Sequence, residues 1–176
     1  YFFFGDERTV LPNHKDYNGL MAKENLFDNL NTPADHIFYV NTTLAPEDAA
    51  KAYKNAIDEH FEGQEIVFDL ILLGMGDDAH TASIFPFTDL VANQEKTVKS
   101  VYVEKLNTHR VSLTAPLINQ AKNVAFITFG TNKAEALKHV IGDTEKDYNT
   151  YPSQLIAGLS DNLDWFVDKE ATAKLS

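Results

Sequence analysis

Cysteine is absent from all 176 residues, which excludes disulfides, thiolate chemistry and cysteine-ligated metal and fits a cytoplasmic location. Long apolar runs are also missing: nothing approaches the roughly 20 consecutive apolar residues that a membrane-spanning helix needs, and no signal peptide is visible. Positive charge is scarce, 15 Lys and Arg against 26 Asp and Glu, for a formal charge of −11. Such a balance disfavours nucleic acid and anionic membranes as partners, and it repels an anionic small molecule at long range, so binding one would require a local cluster of cations. With 44% apolar residues, the chain has enough to bury one substantial core, and residues 1–176 read as a single α/β domain.

The densest signal is the run FDLILLGMGDDAHTASIFP at 68–86. Val67 to Leu73 carries apolar residues without polar alternation, Asp69 excepted, as expected of a strand covered on both faces. Gly74 and Gly76 then let the backbone turn and bring its N–H groups close to a ligand. Open α/β sheets bind ligands outside the carboxyl ends of their strands, where Asp77, Asp78 and His80 would stand, and a histidine there can take and give a proton near neutral pH. Alone, a histidine in this setting reads more readily as a helix cap beside a solvated acidic pair; the strand, paired glycines, acid, histidine and Thr81-Ala82-Ser83 together reverse that and point to a site. His14, His36, His60 and His139 share no ligand spacing, so no metal site is expected.

Alternating patterns fill the rest. Strands are expected at 1–4, 37–40, 67–73, 100–103, 110–113 and 124–129. A helix near 18–30 would bury Leu20, Leu26, Phe27 and Leu30. Pro46, with Glu47 and Asp48 behind it, opens a helix to about Phe61 that buries Ala50, Tyr53, Ile57 and Phe61. A short helix spans 116–122. Another runs from Thr131, its N-cap, to Gly142, with Lys133 in its first turn, where a lysine opposes the helix dipole unless it serves an anion. Residues 87–98 and 143–160 read as loops, and Trp165 with Phe166 as packing for the final segment. Such alternation predicts an α/β fold with a doubly wound, mainly parallel sheet flanked by helices.

Four segments, in order, resemble the 6-phosphogluconolactonase family within the wider group that includes glucosamine-6-phosphate deaminase. These are FFFGDERTV at 2–10 with Asn18 downstream; LLGMGDDAHTASIFP at 72–86; HRVSLTAPLINQAKNVAFITFGTNKAEAL at 109–137; and Pro152 followed by LDWFVDKEATAKL. Arg8 after Asp6-Glu7, and Thr81-Ala82-Ser83 after the histidine, point to the lactonase branch rather than to the deaminases. The resemblance implies a Rossmann-like sugar-phosphate isomerase/lactonase fold and hydrolysis of 6-phosphogluconolactone in the oxidative pentose phosphate pathway, part of carbohydrate metabolism. It implies His80 as general acid/base oriented by Asp78, Asp6 beside them, and Arg8, Gly74, Gly76, Arg110 and Lys133 as substrate and phosphate ligands, with His109 able to approach. No cofactor or metal is expected, and the partner is a phosphorylated sugar lactone bound by a monomer or weak homo-oligomer. A deaminase or isomerase acting on an amino-sugar phosphate, and a non-catalytic sugar-phosphate-binding module, are the alternatives. The family has an earlier phosphate-loop segment that residues 1–176 do not contain, so the chain corresponds to the C-terminal three-quarters of the family domain and is expected to fold stably only with the remainder. It also carries glycine where this chain has Ala79; a negative φ there, the expected case, makes the alanine harmless.

Overall fold

A computed structural model describes residues 1–157 and 162–175. The chain forms two compact units, Tyr1–Ile66 with Thr97–Leu113, and Val67–Lys96 with Thr114–Ser176.

The first unit holds strands β1 (Phe2–Phe3), β2 (Asp6–Arg8), β3 (Ile37–Phe38), β5 (Val98–Val103) and β6 (Thr108–Leu113). β1 pairs with β3 in parallel, whereas β2, β6 and β5 form an antiparallel sheet in that order. The antiparallel arrangement follows from chain length: between β5 and β6 lie only the 3-10 turn Glu104–Leu106 and Asn107, at φ 47, too little chain for a parallel crossover. The expected helix at 18–30 is a continuous run of α1 (Asn18–Ala22), a π turn (Lys23–Phe27) and α2 (Asp28–Leu30). Of its four predicted core residues only Phe27 is buried, and Leu26 and Leu30 face solvent. Helix α3 (Pro46–His60) has Pro46 at its first turn, buries Ala49, Ala50, Tyr53 and Ile57, and packs on β5 and β6. Its Tyr53 hydroxyl accepts the Phe4 N–H (2.6 Å) and donates to the Phe4 carbonyl (3.1 Å), fixing the link between β1 and β2.

The second unit is built on the parallel sheet β4 (Ile71–Leu73), β7 (Val124–Thr128) and β8 (Leu163–Val167), with β7 central. β4 is shorter than the expected 67–73 because the backbone before it bonds to a loop: Lys122 N–H donates to the Phe68 carbonyl, and Asn123 Nδ2 to that of Asp69. One sheet face is buried through Ile71, Leu73, Val124 and Phe126, whose ring stacks on Trp165 at 4.1 Å. The other is not covered as expected: Leu70, Leu72, Ile127 and Phe166 are 55%, 60%, 42% and 58% exposed. Helix α4 (Ala115–Ile118) follows Thr114, and α6 (Gln154–Ala157) precedes β8. Thr131 does not cap the next helical run; Gly130, at φ 96, precedes a 3-10 turn (Thr131–Lys133), α5 (Ala134–Leu137) and a π turn to Gly142. Among the described residues no helix is long and apolar enough to cross a membrane.

Candidate active site

The loop after β4 forms a tight ring around His80. Its Nδ1 lies 2.5 Å from Asp78 Oδ1, which also accepts the His80 backbone N–H at 3.2 Å. Because a carboxylate only accepts, Nδ1 carries the proton and Nε2 is left as the acceptor. One ring face stacks on Phe85 at 3.9 Å, and the His80 and Asp78 side chains are 28% and 22% exposed, held in place yet open to solvent. Thr81 donates its hydroxyl to the Gly74 carbonyl (2.9 Å), closing the loop back onto the end of β4.

The two glycines serve differently from the sequence expectation. Neither has a positive φ. At Gly76 a Cβ would lie 2.1 Å from His80 Nδ1 and 2.6 Å from Asp78 Oδ1, so glycine is required there to admit the imidazole–carboxylate pair. The Gly76 N–H donates to the His80 carbonyl (2.8 Å) and is not available to a ligand. Gly74, with open space beside it, retains the room for close approach. Ala79 departs from expectation too: its φ is 60, in the left-handed region that opposes a Cβ, so the alanine is strained rather than harmless.

Lys133 follows β7, the parallel neighbour of β4, so its turn leaves the sheet at the same carboxyl edge as the His80 loop. The N–H at the start of that turn, of Gly130, already has an anion: both Asp168 carboxylate oxygens lie 3.0 Å away.

The first unit brings Asp6, Arg8 and Arg110 together. Antiparallel register sets Arg8 opposite Arg110 and Asp6 opposite Ser112, and the two-residue period of a strand puts these side chains on one sheet face. Arg8 Nη1 donates to the Asp16 carbonyl (2.8 Å), while Arg110 Nε and His109 Nδ1 are buried without a partner. Burial, then the neighbouring Arg8 charge, holds the Arg110 guanidinium below its ordinary pKa. Between Asp6 and Arg8, Glu7 turns to the opposite face and is fully buried. Its Oε1 accepts the N–H groups of Arg8 and Asn18 (both 2.8 Å), and Oε2 that of Gly19 (2.9 Å). A carboxylate from a strand thus caps the 18–30 helical run, and Asn18 Nδ2 reaches back to the Asp6 carbonyl at 3.1 Å. Nothing in the sequence marked Glu7 for this; the partner it caps lies eleven residues on. Among the described residues no three His, Asp or Glu side chains are grouped to hold a metal.

Residues 1–165 match the family model of glucosamine-6-phosphate isomerases/6-phosphogluconolactonase. The chain belongs to this family. A probable 6-phosphogluconolactonase of Arabidopsis thaliana is 36% identical over 99% of the chain and 70% of its own length. A 6-phosphogluconolactonase of Nostoc is 38% identical over 99% and 72%. The structure of 6-phosphogluconolactonase from Trypanosoma cruzi superposes with a TM-score of 0.85 at 29% identity, over 99% of this chain and 72% of that one. Membership in the glucosamine-6-phosphate isomerase/6-phosphogluconolactonase family accounts for the mixed α/β architecture with parallel sheets flanked by helices.

Proposed function

We propose that the chain hydrolyses 6-phospho-D-glucono-1,5-lactone to 6-phosphogluconate, with His80 as general acid/base. The observation that carries this is the His80–Asp78 pair: an imidazole proton fixed on Nδ1, 2.5 Å from a carboxylate, with Nε2 as the acceptor. In the proposed mechanism His80 Nε2 removes a proton from water as its oxygen bonds to the lactone carbonyl carbon, and Asp78 stabilises the imidazolium. The tetrahedral intermediate collapses by breaking the bond to the ring oxygen, which receives the proton from His80. A lactone is already an activated ester, so this sequence needs no cofactor.

Lys133, at the same sheet edge as the His80 loop, is assigned to the phosphate, and Gly74 to close backbone contact. Arg8 and Arg110 are assigned to anion recognition: they oppose one another across two strands with Asp6, Glu7 and Asp16 offsetting part of their charge, and the buried Arg110 Nε is a donor without an acceptor. Asp6 would line the sugar side. The relatives' names support the lactonase branch, as do Arg8 and Thr81-Ala82-Ser83 in this chain; an amino-sugar phosphate deaminase is the alternative that shares the family. We place the enzyme in the cytoplasm, as a monomer or weak homo-oligomer forming one family domain.

The test is lactone hydrolysis by purified protein, corrected for spontaneous opening, alongside ammonia release from glucosamine 6-phosphate. His80→Asn should lower kcat by about 100-fold or more with little change in KM, whereas Arg110→Ala should mainly raise KM. Ammonia release without lactone hydrolysis would replace this reading with the deaminase.

A further inference from the structure

Ala79 lies between the two members of the proposed catalytic pair and has a backbone conformation that opposes a Cβ: φ is 60, and the side chain is fully buried. An alanine holds such a conformation only where its surroundings over-determine it. The restraint on one side is local, since Ala79 N–H donates to the Gly76 carbonyl at 3.1 Å and Gly76 N–H to the His80 carbonyl at 2.8 Å. On the other side it comes from 74 residues away, where Ser153 gives the Ala79 carbonyl two hydrogen bonds, from its backbone N–H at 2.9 Å and its hydroxyl at 2.7 Å.

That carbonyl belongs to the same planar peptide unit as the N–H of His80. Its oxygen end is forked by Ser153, and its N–H end is held by Asp78 Oδ1 at 3.2 Å. A peptide plane fixed at both ends fixes the direction in which His80 leaves the backbone, and hence whether its ring meets the Asp78 carboxylate. Ser153 is itself buried. The adjacent Gln154, also buried, accepts the Asp147 N–H at 2.8 Å and donates to the His139 carbonyl at 2.8 Å, anchoring the start of α6.

We propose that Ser153 is a positioning residue for His80: its hydroxyl and amide hold the Ala79 carbonyl, and with it the strained loop that aligns the imidazole with Asp78. The assignment rests on the lactonase reading for its kinetic consequence but not for its geometric one. Three variants test it: Ser153→Ala, Ala79→Gly, and the two combined. Each is assayed for kcat and KM and for the downfield proton resonance of the His80–Asp78 bond, assigned by its loss in His80→Asn.

Ser153→Ala should lower kcat about tenfold with KM within about twofold, and should shift or broaden that resonance. Glycine adopts a positive φ without strain, so the combined variant should regain kcat to within about threefold of Ala79→Gly and recover the resonance. A folded Ser153→Ala with unchanged kcat and unchanged resonance overturns the proposal, as does a combined variant no better than Ser153→Ala. Should Ser153→Ala not fold, the combined variant decides: folding with the resonance present supports the proposal, and failure to fold assigns Ser153 to the scaffold instead. Absence of lactone hydrolysis in the unaltered protein would remove the proposed function and leave the resonance to decide the role of Ser153.

Discussion

At position 79 a single methyl group sets two requirements against each other. The left-handed backbone opposes any Cβ by roughly 1 kcal/mol, while the flanking Asp78 and His80 need that same backbone turn in order to meet. Ala79→Gly should therefore raise stability by about 1 kcal/mol, read as a higher denaturant midpoint at unchanged slope. A lowered midpoint would mean that the methyl group's packing outweighs its strain. Gly76 presents the opposite case: its φ is ordinary, but the space a Cβ would take is filled by the His80 ring. Gly76→Ala should displace the imidazole and cut kcat by about 100-fold while the protein still folds, as checked by steady-state kinetics beside circular dichroism. The sequence made both glycines and the histidine visible, because strand, paired glycines, acid and histidine follow one another within a single run. It did not reveal why glycine is needed at 76, since the reason is a contact four residues away that exists only once the loop has closed.

Among the elements, β2 and the 18–30 helical run depend on one another through Glu7. The strand's period of two sends Asp6 and Arg8 to one face and Glu7 to the other, where three backbone N–H groups hold its carboxylate. Burial nonetheless raises its pKa above the ordinary 4.5, the hydrogen bonds opposing it only in part. The folded state thus keeps this proton to higher pH than the unfolded chain, and the resulting stability is complete below the ordinary carboxylate range and lost as pH rises through the folded value. The stability difference between the unaltered protein and Glu7→Gln should accordingly shrink from about pH 4.5 upward, measured by urea unfolding across that range. A difference that grows with pH would reverse the assignment. Element boundaries were well marked where punctuation is strong, as at α3, where Pro46, Glu47 and Asp48 set the start. The pairing of β5 with β6 was not foreseen as antiparallel, although the short connection between them was a usable signal. β8 was missed as a strand: LDWFV fits a half-buried strand, but only its pairing with β7 makes it one.

For the molecule as a whole, the parallel sheet carries an apolar face open to solvent, formed by Leu70, Leu72, Ile127 and Phe166. Parallel sheets are normally covered on both faces, so this one should bind a hydrophobic dye such as ANS in the native state. Phe166→Lys should reduce that fluorescence at least about twofold without lowering the unfolding midpoint, because the ring it removes is on the solvent side. Unreduced fluorescence would place the dye elsewhere. The formal charge of −11 acts at the same scale, setting a background that repels any anion at long range. The sequence by itself determined the α/β class, the helix α3 and the glycine turn that carries the histidine, because hydrophobic period and turn residues are written locally along the chain. Tertiary structure alone decided that Glu7 caps a helix, that Ser153 holds the carbonyl beside His80, that Ala79 is strained and that Leu72, Ile127 and Phe166 point away from the buried sheet face. Each of these depends on which distant backbone groups meet, and a hydrogen bond between residues 74 positions apart leaves no periodic trace in either segment.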